Sequence, residues 1–168
     1  MHRRYAYKSE SMAEIKTNVM RILDKKKIPY KTYTYETGDS IDGVSVAHKL
    51  NQPLEQVFKT LVTKGKSNQY FVFVIPVAQE LNLKVAAKVV GEKAIEMIPV
   101  KDMNQVTGYI RGGCSPIGMK KQFQTVIHES AKQVETMIIS GGKIGFQVEL
   151  SPMELATLIR AKFENIIL

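Results

Sequence analysis

The sequence is poor in cysteine and in long apolar runs, and each shortage excludes a class of protein. Cys114 is the single cysteine among 168 residues, which excludes an intramolecular disulfide framework and favours a reducing compartment, the cytoplasm. The longest apolar run, residues 70–78, is far shorter than the roughly 20 residues that cross a bilayer. The basic residues 1–11 are not followed by the apolar segment of a secretory signal. We therefore expect no membrane partner.

Motifs for metals, nucleotides and protein nucleophiles are also missing. The three histidines and Cys114 are far apart, so no pair has the spacing of zinc ligands and we expect no metal site. The segment Gly141-Gly142-Lys143 lacks the leading glycine and the Ser/Thr of a Walker loop, and no Rossmann fingerprint is present. Cys114 lies in a glycine-rich loop and is a candidate nucleophile, but no paired histidine is recognisable.

Acidic residues are outnumbered by basic ones, 16 to 24, which gives a net charge of +8. The excess is concentrated in residues 1–31, where nine basic and three acidic residues give +6. A basic face can attract nucleic acid or an anionic membrane. A solvated helix face with a loose tail explains the same charge, so charge alone does not decide.

Hydrophobic periodicity predicts one α+β domain at residues 12–168, preceded by a flexible extension at residues 1–11. The first helix is predicted from a Ser11–Glu14 capping box to Lys27, where Pro29 stops it. The sheet is predicted to be curved or barrel-like, mixed and mostly antiparallel, with flanking helices. Its strands are expected at residues 30–36, 57–63, 70–77, 124–128, 136–140 and 145–150, with a short strand or helix end at 94–98 and a last short strand at 163–168. Further helices are expected at residues 45–50, 81–90 and 101–106 and from Ser151 onward.

The stretch from Val57 to Thr63 is the strand around which we organise the chain. Val57, Lys59 and Leu61 share one face, and Phe58, Thr60 and Val62 share the other. Both faces are largely apolar, so we expect both to be covered. A lysine in this position either reaches solvent at an edge or stands in a pocket to meet an anionic or carbonyl group.

Two glycine-rich stretches, residues 111–118 and 140–145, favour the pocket for Lys59. Glycine allows backbone N–H groups to approach a ligand closely, and such a loop suits a phosphate, a ribose or a carbonyl oxygen. Ser140, at the end of its strand, is placed to donate a hydrogen bond to a ligand. A plain connection and a plain hairpin turn remain the structural alternatives.

Taken in order, five segments resemble the YbaK/EbsC family of aminoacyl-tRNA deacylases, free-standing relatives of the editing domain of bacterial prolyl-tRNA synthetases. The segments are Lys26-Lys27-Ile28-Pro29-Tyr30, Phe58-Lys59-Thr60-Leu61, Leu81-Asn82-Leu83-Lys84, residues 109–121 and Ser140-Gly141-Gly142-Lys143. The pairing of the glycine loop with the Ser-Gly-Gly-Lys turn resembles the Cys-tRNA(Pro)/Cys-tRNA(Cys) deacylase branch. The resemblance implies a compact α+β fold and hydrolysis of the ester that joins a mischarged amino acid to tRNA. It implies no metal and no organic cofactor.

The resemblance also implies roles for individual residues. Lys59 would anchor the phosphate and ribose of the terminal adenosine, and Gly112 and its neighbours would offer N–H groups to the ester carbonyl. Thr60 and Ser140 would line the pocket, with Tyr35 beside the substrate. The implied site residues are Lys59 and Gly112 as catalytic groups and Tyr35, Thr60, Gly113, Ser115, Ser140 and Gly141 as substrate-binding groups.

In the cysteinyl branch the implied mechanism is assisted by the substrate, whose own thiol attacks its ester and leaves as a thiolactone. The enzyme is then a hydrolase overall, with a lyase-like step, and Cys114 is predicted not to take part. Two departures from the family leave the identity of the substrate's amino acid open. The loop at residues 36–43 aligns poorly, so Ile41 is only a guess for the apolar residue that contacts the substrate. Gln147 stands where some relatives carry an acid. The alternatives are a deacylase for another amino acid, such as Ala-tRNA(Pro), and a non-enzymatic tRNA- or synthetase-binding module that uses Arg21 and Lys25 to Lys27. A prolyl-tRNA synthetase partner is implied by the family alone.

Overall fold

The computed structural model describes residues 15–38 and 42–168, which contain eight strands and five α-helices. The strands are β1 (Tyr30–Thr34), β2 (Phe58–Gly65), β3 (Tyr70–Pro76), β4 (Ile95–Met97), β5 (Gln124–His128), β6 (Met137–Ser140), β7 (Phe146–Leu150) and β8 (Lys162–Glu164). The helices are α1 (Asn18–Lys25), α2 (Gly43–Lys49), α3 (Leu83–Val90), α4 (Met103–Thr107) and α5 (Pro152–Ile159). Within these residues no helix has the length and apolar content needed to cross a membrane.

The strands form two sheets that meet at the start of β2. One sheet has five strands in the order β4-β2-β3-β5-β8, and the other has three in the order β1-β7-β6. Strand β3 pairs with β5, and β5 with β8, in parallel, while the other ladders are antiparallel. The expected α+β class and the mixed, mostly antiparallel pairing are therefore confirmed. The barrel is not closed, because the two sheets are linked by an isolated bridge between Val57 and Ile138 rather than by a full ladder.

Both faces of β2 are covered, as the alternation of its residues predicts. Phe58 packs in a large cluster with residues of α1 and α5, including Leu23 and Leu155. On the opposite face Leu61 packs against the cluster of Phe73 and the small residues of α3. The polar side chains of this central strand therefore need a hydrogen-bond partner, either within the protein or in a bound ligand.

Helix α1 begins later than the sequence predicts. Residues 15–17 are not helical, and Thr17 caps the helix by accepting a hydrogen bond from Met20 N at 3.2 Å. The predicted Ser11–Glu14 capping box and the extension at residues 1–11 lie outside the described residues. The expected caps of α3 and α5 are confirmed: Gly91 closes α3 in the left-handed conformation, and Ser151 accepts from Glu154 N.

A buried histidine holds the last segment of the chain against the five-stranded sheet. His128, at the end of β5 and 6% exposed, accepts a hydrogen bond at Nδ1 from Ile166 N at 3.3 Å. Burial lowers the pKa of His128 below its usual value, against the opposing effects of Glu129 and of a hydrogen bond with the Glu164 backbone. The imidazole is therefore neutral in the folded protein near neutral pH.

We expect the free energy of unfolding to fall as the pH drops below the ordinary histidine value of 6.5. The unfolded chain binds a proton on His128 at a higher pH than the folded chain does, so acidification in this range favours unfolding. Urea unfolding at pH 7.5 and 5.0 should show a smaller acid loss for His128→Gln than for wild type. The exposed His48 provides the control, since His48→Gln should leave the acid loss unchanged. An acid loss identical in all three proteins would reject the assignment to His128.

Candidate active site

The bridge between the sheets places Lys59 beside Ser140. Strands β2 and β6 run in the same direction from the Val57–Ile138 bridge, and Lys59 and Ser140 each lie two residues beyond it. Bridged residues point to the same face, and so do residues two positions further on. The predicted anchor and the predicted hydrogen-bond donor therefore share one face at the seam between the two sheets.

The same face continues across the smaller sheet. Ser140 is the register partner of Gln147 on β7, and Gln147 is the partner of Tyr33 on β1. Neighbouring strands lie about 5 Å apart, so these side chains form a continuous series across four strands. We call Lys59, Ser140, Gln147 and Tyr33 the polar row.

Lys59 is half-buried in the polar row. Burial lowers its pKa from the ordinary lysine value, and the negative charge of Glu80 partly opposes that shift. Its ammonium group has lost part of its hydration without an ion pair among the salt bridges of the described residues. Such a group gains from meeting an anionic or carbonyl group of a ligand.

Ser140 and the turn that follows it form a rigid unit. The Ser140 hydroxyl oxygen accepts a hydrogen bond from Gly142 N at 3.1 Å, which leaves its own O–H free to donate. Gly142 has a φ of +91°, a conformation that a non-glycine residue adopts only with strain. Gly141, also a predicted site residue, is fixed by its N–H bond to Phe146 O at 2.8 Å.

The second glycine-rich segment folds into a tight turn that touches the first. Gly113 N donates to Ile110 O at 3.0 Å, and Gly112 between them has a φ of +86°, as the third residue of a type II turn requires. A Cβ at position 113 would lie 3.0 Å from Ile144 N, so the segment packs directly on the turn after Ser140. The two glycine stretches, distant in sequence, therefore meet at the end of β6.

Tyr35 reaches the same turn through its backbone. Its N–H donates to Gly145 O at 3.0 Å, and its side chain is half-buried. Tyr33, two residues earlier, donates its hydroxyl to Glu149 Oε1 at 2.6 Å, and this bond raises the pKa of the Tyr33 phenol. Tyr33 is thus held in place by a hydrogen bond to the neighbouring strand β7.

Two predicted residues lie apart from the polar row. Thr60 follows Lys59 and faces the opposite side of β2, where its hydroxyl oxygen is buried and has no hydrogen-bond partner among the residues that the structure describes. Ser115 is fully buried, and its hydroxyl oxygen accepts from Ile117 N at 3.2 Å, so it stabilises the loop from inside. Their roles in substrate binding stay predictions. Ile41 lies outside the described residues.

Cys114 belongs to the core. It is 8% exposed and packs with Val62, Val72 and Ile98. Burial raises the pKa of its thiol to about 12, although a hydrogen bond with Thr107 opposes the shift. A thiol that stays protonated at neutral pH is a poor nucleophile, which favours the prediction that Cys114 takes no part in chemistry.

Gln147 was not among the predicted site residues, yet it lies in the middle of the polar row. It is 6% exposed, and its Oε1 accepts from Gln52 Nε2 at 2.8 Å. The alternation of Phe146, Val148 and Leu150 predicts that Gln147 faces away from the apolar core. Its partner Gln52 follows α2 and carries no sequence signal that would connect it to β7.

Two cavities lie along α1. One, of about 800 Å³, is lined by residues of α1 and β1, including Met20 and Tyr30. The other, of about 550 Å³, separates the end of α1 from α5. Neither is lined by a predicted site residue, although Tyr33 of the polar row lines the first. The described residues hold no group of three or more possible metal ligands among His, Cys, Asp and Glu.

Comparisons with known proteins identify the family of the chain. The family model of the aminoacyl-tRNA editing domain matches residues 40–158. The chain belongs to this family. It is 47% identical over 152 residues to EbsC of Enterococcus faecalis, provisionally named a Cys-tRNA(Pro)/Cys-tRNA(Cys) deacylase, across 90% of this chain and 93% of that protein. The predicted family and enzyme class, an aminoacyl-tRNA deacylase, are thereby confirmed.

More distant similarities extend to a proline–tRNA ligase in sequence and to a solved structure in fold. A proline–tRNA ligase of Brachyspira hyodysenteriae is 25% identical over 141 residues, which are 79% of this chain and 24% of the ligase. A crystal structure described as a trans-editing enzyme for prolyl-tRNA synthetase superposes with a TM-score of 0.77. The superposition covers 92% of this chain and 99% of the chain in that structure, at 17% sequence identity. The match shows a shared fold.

We expect Cys114 to resist alkylation in the folded protein. Its thiol is buried and protonated, so iodoacetamide at pH 8 should modify it far more slowly than after unfolding in guanidinium chloride. Intact-mass measurement reads the reaction directly, since the chain has one cysteine. Complete modification of the folded protein at the rate of the unfolded one would show an accessible, reactive thiol.

Proposed function

We propose that this protein is a trans-editing deacylase that cleaves the aminoacyl ester of Cys-tRNA(Pro), and also that of Cys-tRNA(Cys). The observation that carries the proposal is the half-buried Lys59 next to Ser140, beside two glycine-rich turns in contact with each other. The name of the EbsC relative supports the choice of amino acid. The reaction belongs in the cytoplasm, where charged tRNA is used, and prolyl-tRNA synthetase is the proposed partner.

In this proposal the protein positions and polarises the substrate. The ammonium of Lys59 holds the phosphate and ribose of the terminal adenosine, and the hydroxyl of Ser140 donates to the aminoacyl group. Backbone N–H groups of the turn at Gly112 face the ester carbonyl, where negative charge develops as the bond is attacked. Preorganised donors of this kind supply a large part of the rate in acyl transfer.

The nucleophile comes from the substrate. The cysteine thiol attacks its own ester carbon, a carbon–sulfur bond forms, and the carbon–oxygen bond to the ribose breaks. The thiol proton passes to the departing ribose oxygen, and a cyclic thiolactone leaves. Because the attacking group is part of the bound ester, the site needs no serine, cysteine or histidine nucleophile.

The second candidate is a deacylase for Ala-tRNA(Pro). The match to a proline–tRNA ligase favours it, since that likeness concerns the prolyl system rather than cysteine. Alanine has no side-chain nucleophile, so this activity would require an attacking water. The two candidates share the fold and Lys59 and differ in the source of the nucleophile.

Replacing Lys59 with alanine should reduce deacylation of Cys-tRNA(Pro) by about 100-fold or more, the usual effect of removing one preorganised electrostatic group. The rate is measured as loss of labelled cysteine from tRNA under single-turnover conditions. Lys64→Ala provides the matched control, because Lys64 lies further along the same strand and contacts the Tyr70 ring instead. Wild-type rates in Lys59→Ala would remove Lys59 from the mechanism.

A panel of Cys-, Ala- and Ser-tRNA(Pro) should separate the two candidates. We expect rapid loss of the cysteinyl ester alone, and release of a thiolactone that mass spectrometry detects. S-methylated cysteinyl-tRNA should be stable, because its sulfur carries no proton and cannot form the thiolactone in the proposed way. Rapid turnover of the alanyl or S-methylcysteinyl ester would instead establish attack by water.

A further inference from the structure

Helix α1 packs on both glycine-rich segments of the candidate site. A Cβ at Gly142 would lie 2.7 Å from Val19 Cγ2, and one at Gly118 would lie 3.0 Å from Ile22 Cδ1 and 3.1 Å from Asn18 Nδ2. These approaches leave no room for a layer between the helix and the turns. The helix, the end of the 111–118 loop and the turn after Ser140 therefore meet at one surface.

Each of these three elements contributes exposed basic side chains. Asn18, Arg21 and Lys25 follow one another at intervals of three and four residues, so Arg21 and Lys25 continue the stripe that touches Gly118. Lys120 and Lys121 follow this glycine after Met119, and Lys143 follows Gly142. We call the exposed residues Arg21, Lys25, Arg111, Lys120, Lys121 and Lys143 the basic surface.

Acidic residues do not offset these charges. Residues 108–121 and 140–145 contain none. Helix α1 has one acid, Asp24, and its carboxylate accepts hydrogen bonds from Lys16 and from the Tyr30 hydroxyl. Within these three elements basic residues therefore outnumber acidic ones, beside the turn that follows Ser140.

We propose that the basic surface binds the sugar-phosphate backbone of the tRNA whose 3′ end enters the polar row. This inference rests on the proposed function, and it assigns to the substrate a contact area outside the catalytic seam. A polyanion leaving the seam at the 140–145 turn passes over Lys143 and then over α1. Contacts of this type neutralise phosphates without reading sequence, and they release condensed counterions.

Two triple variants with equal loss of charge test the proposal. Arg21→Gln, Lys121→Gln and Lys143→Gln together remove three charges from the basic surface. The control combines Lys84→Gln, Lys88→Gln and Lys93→Gln, all exposed, on or just after α3, which packs against Leu61 of the five-stranded sheet and is not part of the basic surface. The equilibrium constant for uncharged tRNA is measured over a range of salt concentrations.

We expect the basic-surface variant to reduce the slope of log K against log salt by about 2 to 3, since each lost phosphate contact removes roughly 0.7 to 0.9. The control should keep the wild-type slope. Equal slopes in the two variants would overturn the proposal and would leave the positive charge as a solvated surface.

A second measurement separates this proposal from the proposed function. The basic-surface variant should deacylate a short aminoacylated 3′-terminal fragment as fast as wild type, yet lose activity on full-length Cys-tRNA(Pro). Equal losses on both substrates would overturn the inference, because they would indicate damage to the catalytic seam. No turnover of either substrate by wild type would reject the deacylase, while the salt slopes would still decide whether the basic surface binds RNA.

Discussion

The isolated bridge between Val57 and Ile138 is the contact on which the candidate site depends. It joins two sheets that are otherwise separate ladders, and it fixes the register between β2 and β6. A shift of one residue would turn Lys59 to the other face of its strand, because side chains alternate. Burial of Val57 and Ile138 with Ala47 of α2 opposes such a shift, since both bridge residues would lose their apolar contacts. Apolar packing around one residue pair therefore places the charged group of the site.

The chemistry of the seam follows from what surrounds Lys59. A lysine in water has little to gain from a ligand, since its hydration shell already satisfies it. Half-burial removes part of that shell, and the neighbouring Ser140 and Gln147 are neutral. An incoming anion would therefore replace the hydration that the ammonium group has lost. The same burial lowers its pKa, and further burial without an anion would favour the neutral amine and lose the charge.

Much of this arrangement could be predicted from local sequence patterns. The two hairpins, the alternation of β2 and the caps of α3 and α5 all follow from short-range rules, and the structure has them. The predicted start of α1 at the Ser11–Glu14 capping box was wrong, because the amphipathic pattern is compatible with either start. Thr17 caps the helix at residues 18–25 instead. The sequence left open whether the curved or barrel-like sheet closes, because closure depends on pairing between distant strands, which no local pattern specifies.

Contacts between distant segments explain the rest. The Gln52–Gln147 pair joins residues 95 positions apart, so periodicity gives no sign of it. The contact of Gly113 with Ile144 is similar in kind, although the unusual glycine content of both segments did indicate that they were special. Glycine content indicated that the two stretches form a site together, and resemblance to a family supplied the roles of their residues. The packing of α1 on both of them was indicated by neither route.

That packing gives α1 a role beyond covering the core. Its buried residues Val19 and Leu23 hold the inner face of the sheets, while Val19 also contacts the turn that carries the site. A substrate that binds along the exposed side of α1 would therefore press on the element that positions Ser140. Binding energy gained far from a reacting bond can be used to orient the groups at that bond. The path through the helix is short, because Val19 Cγ2 lies 2.7 Å from the position that a Cβ at Gly142 would take.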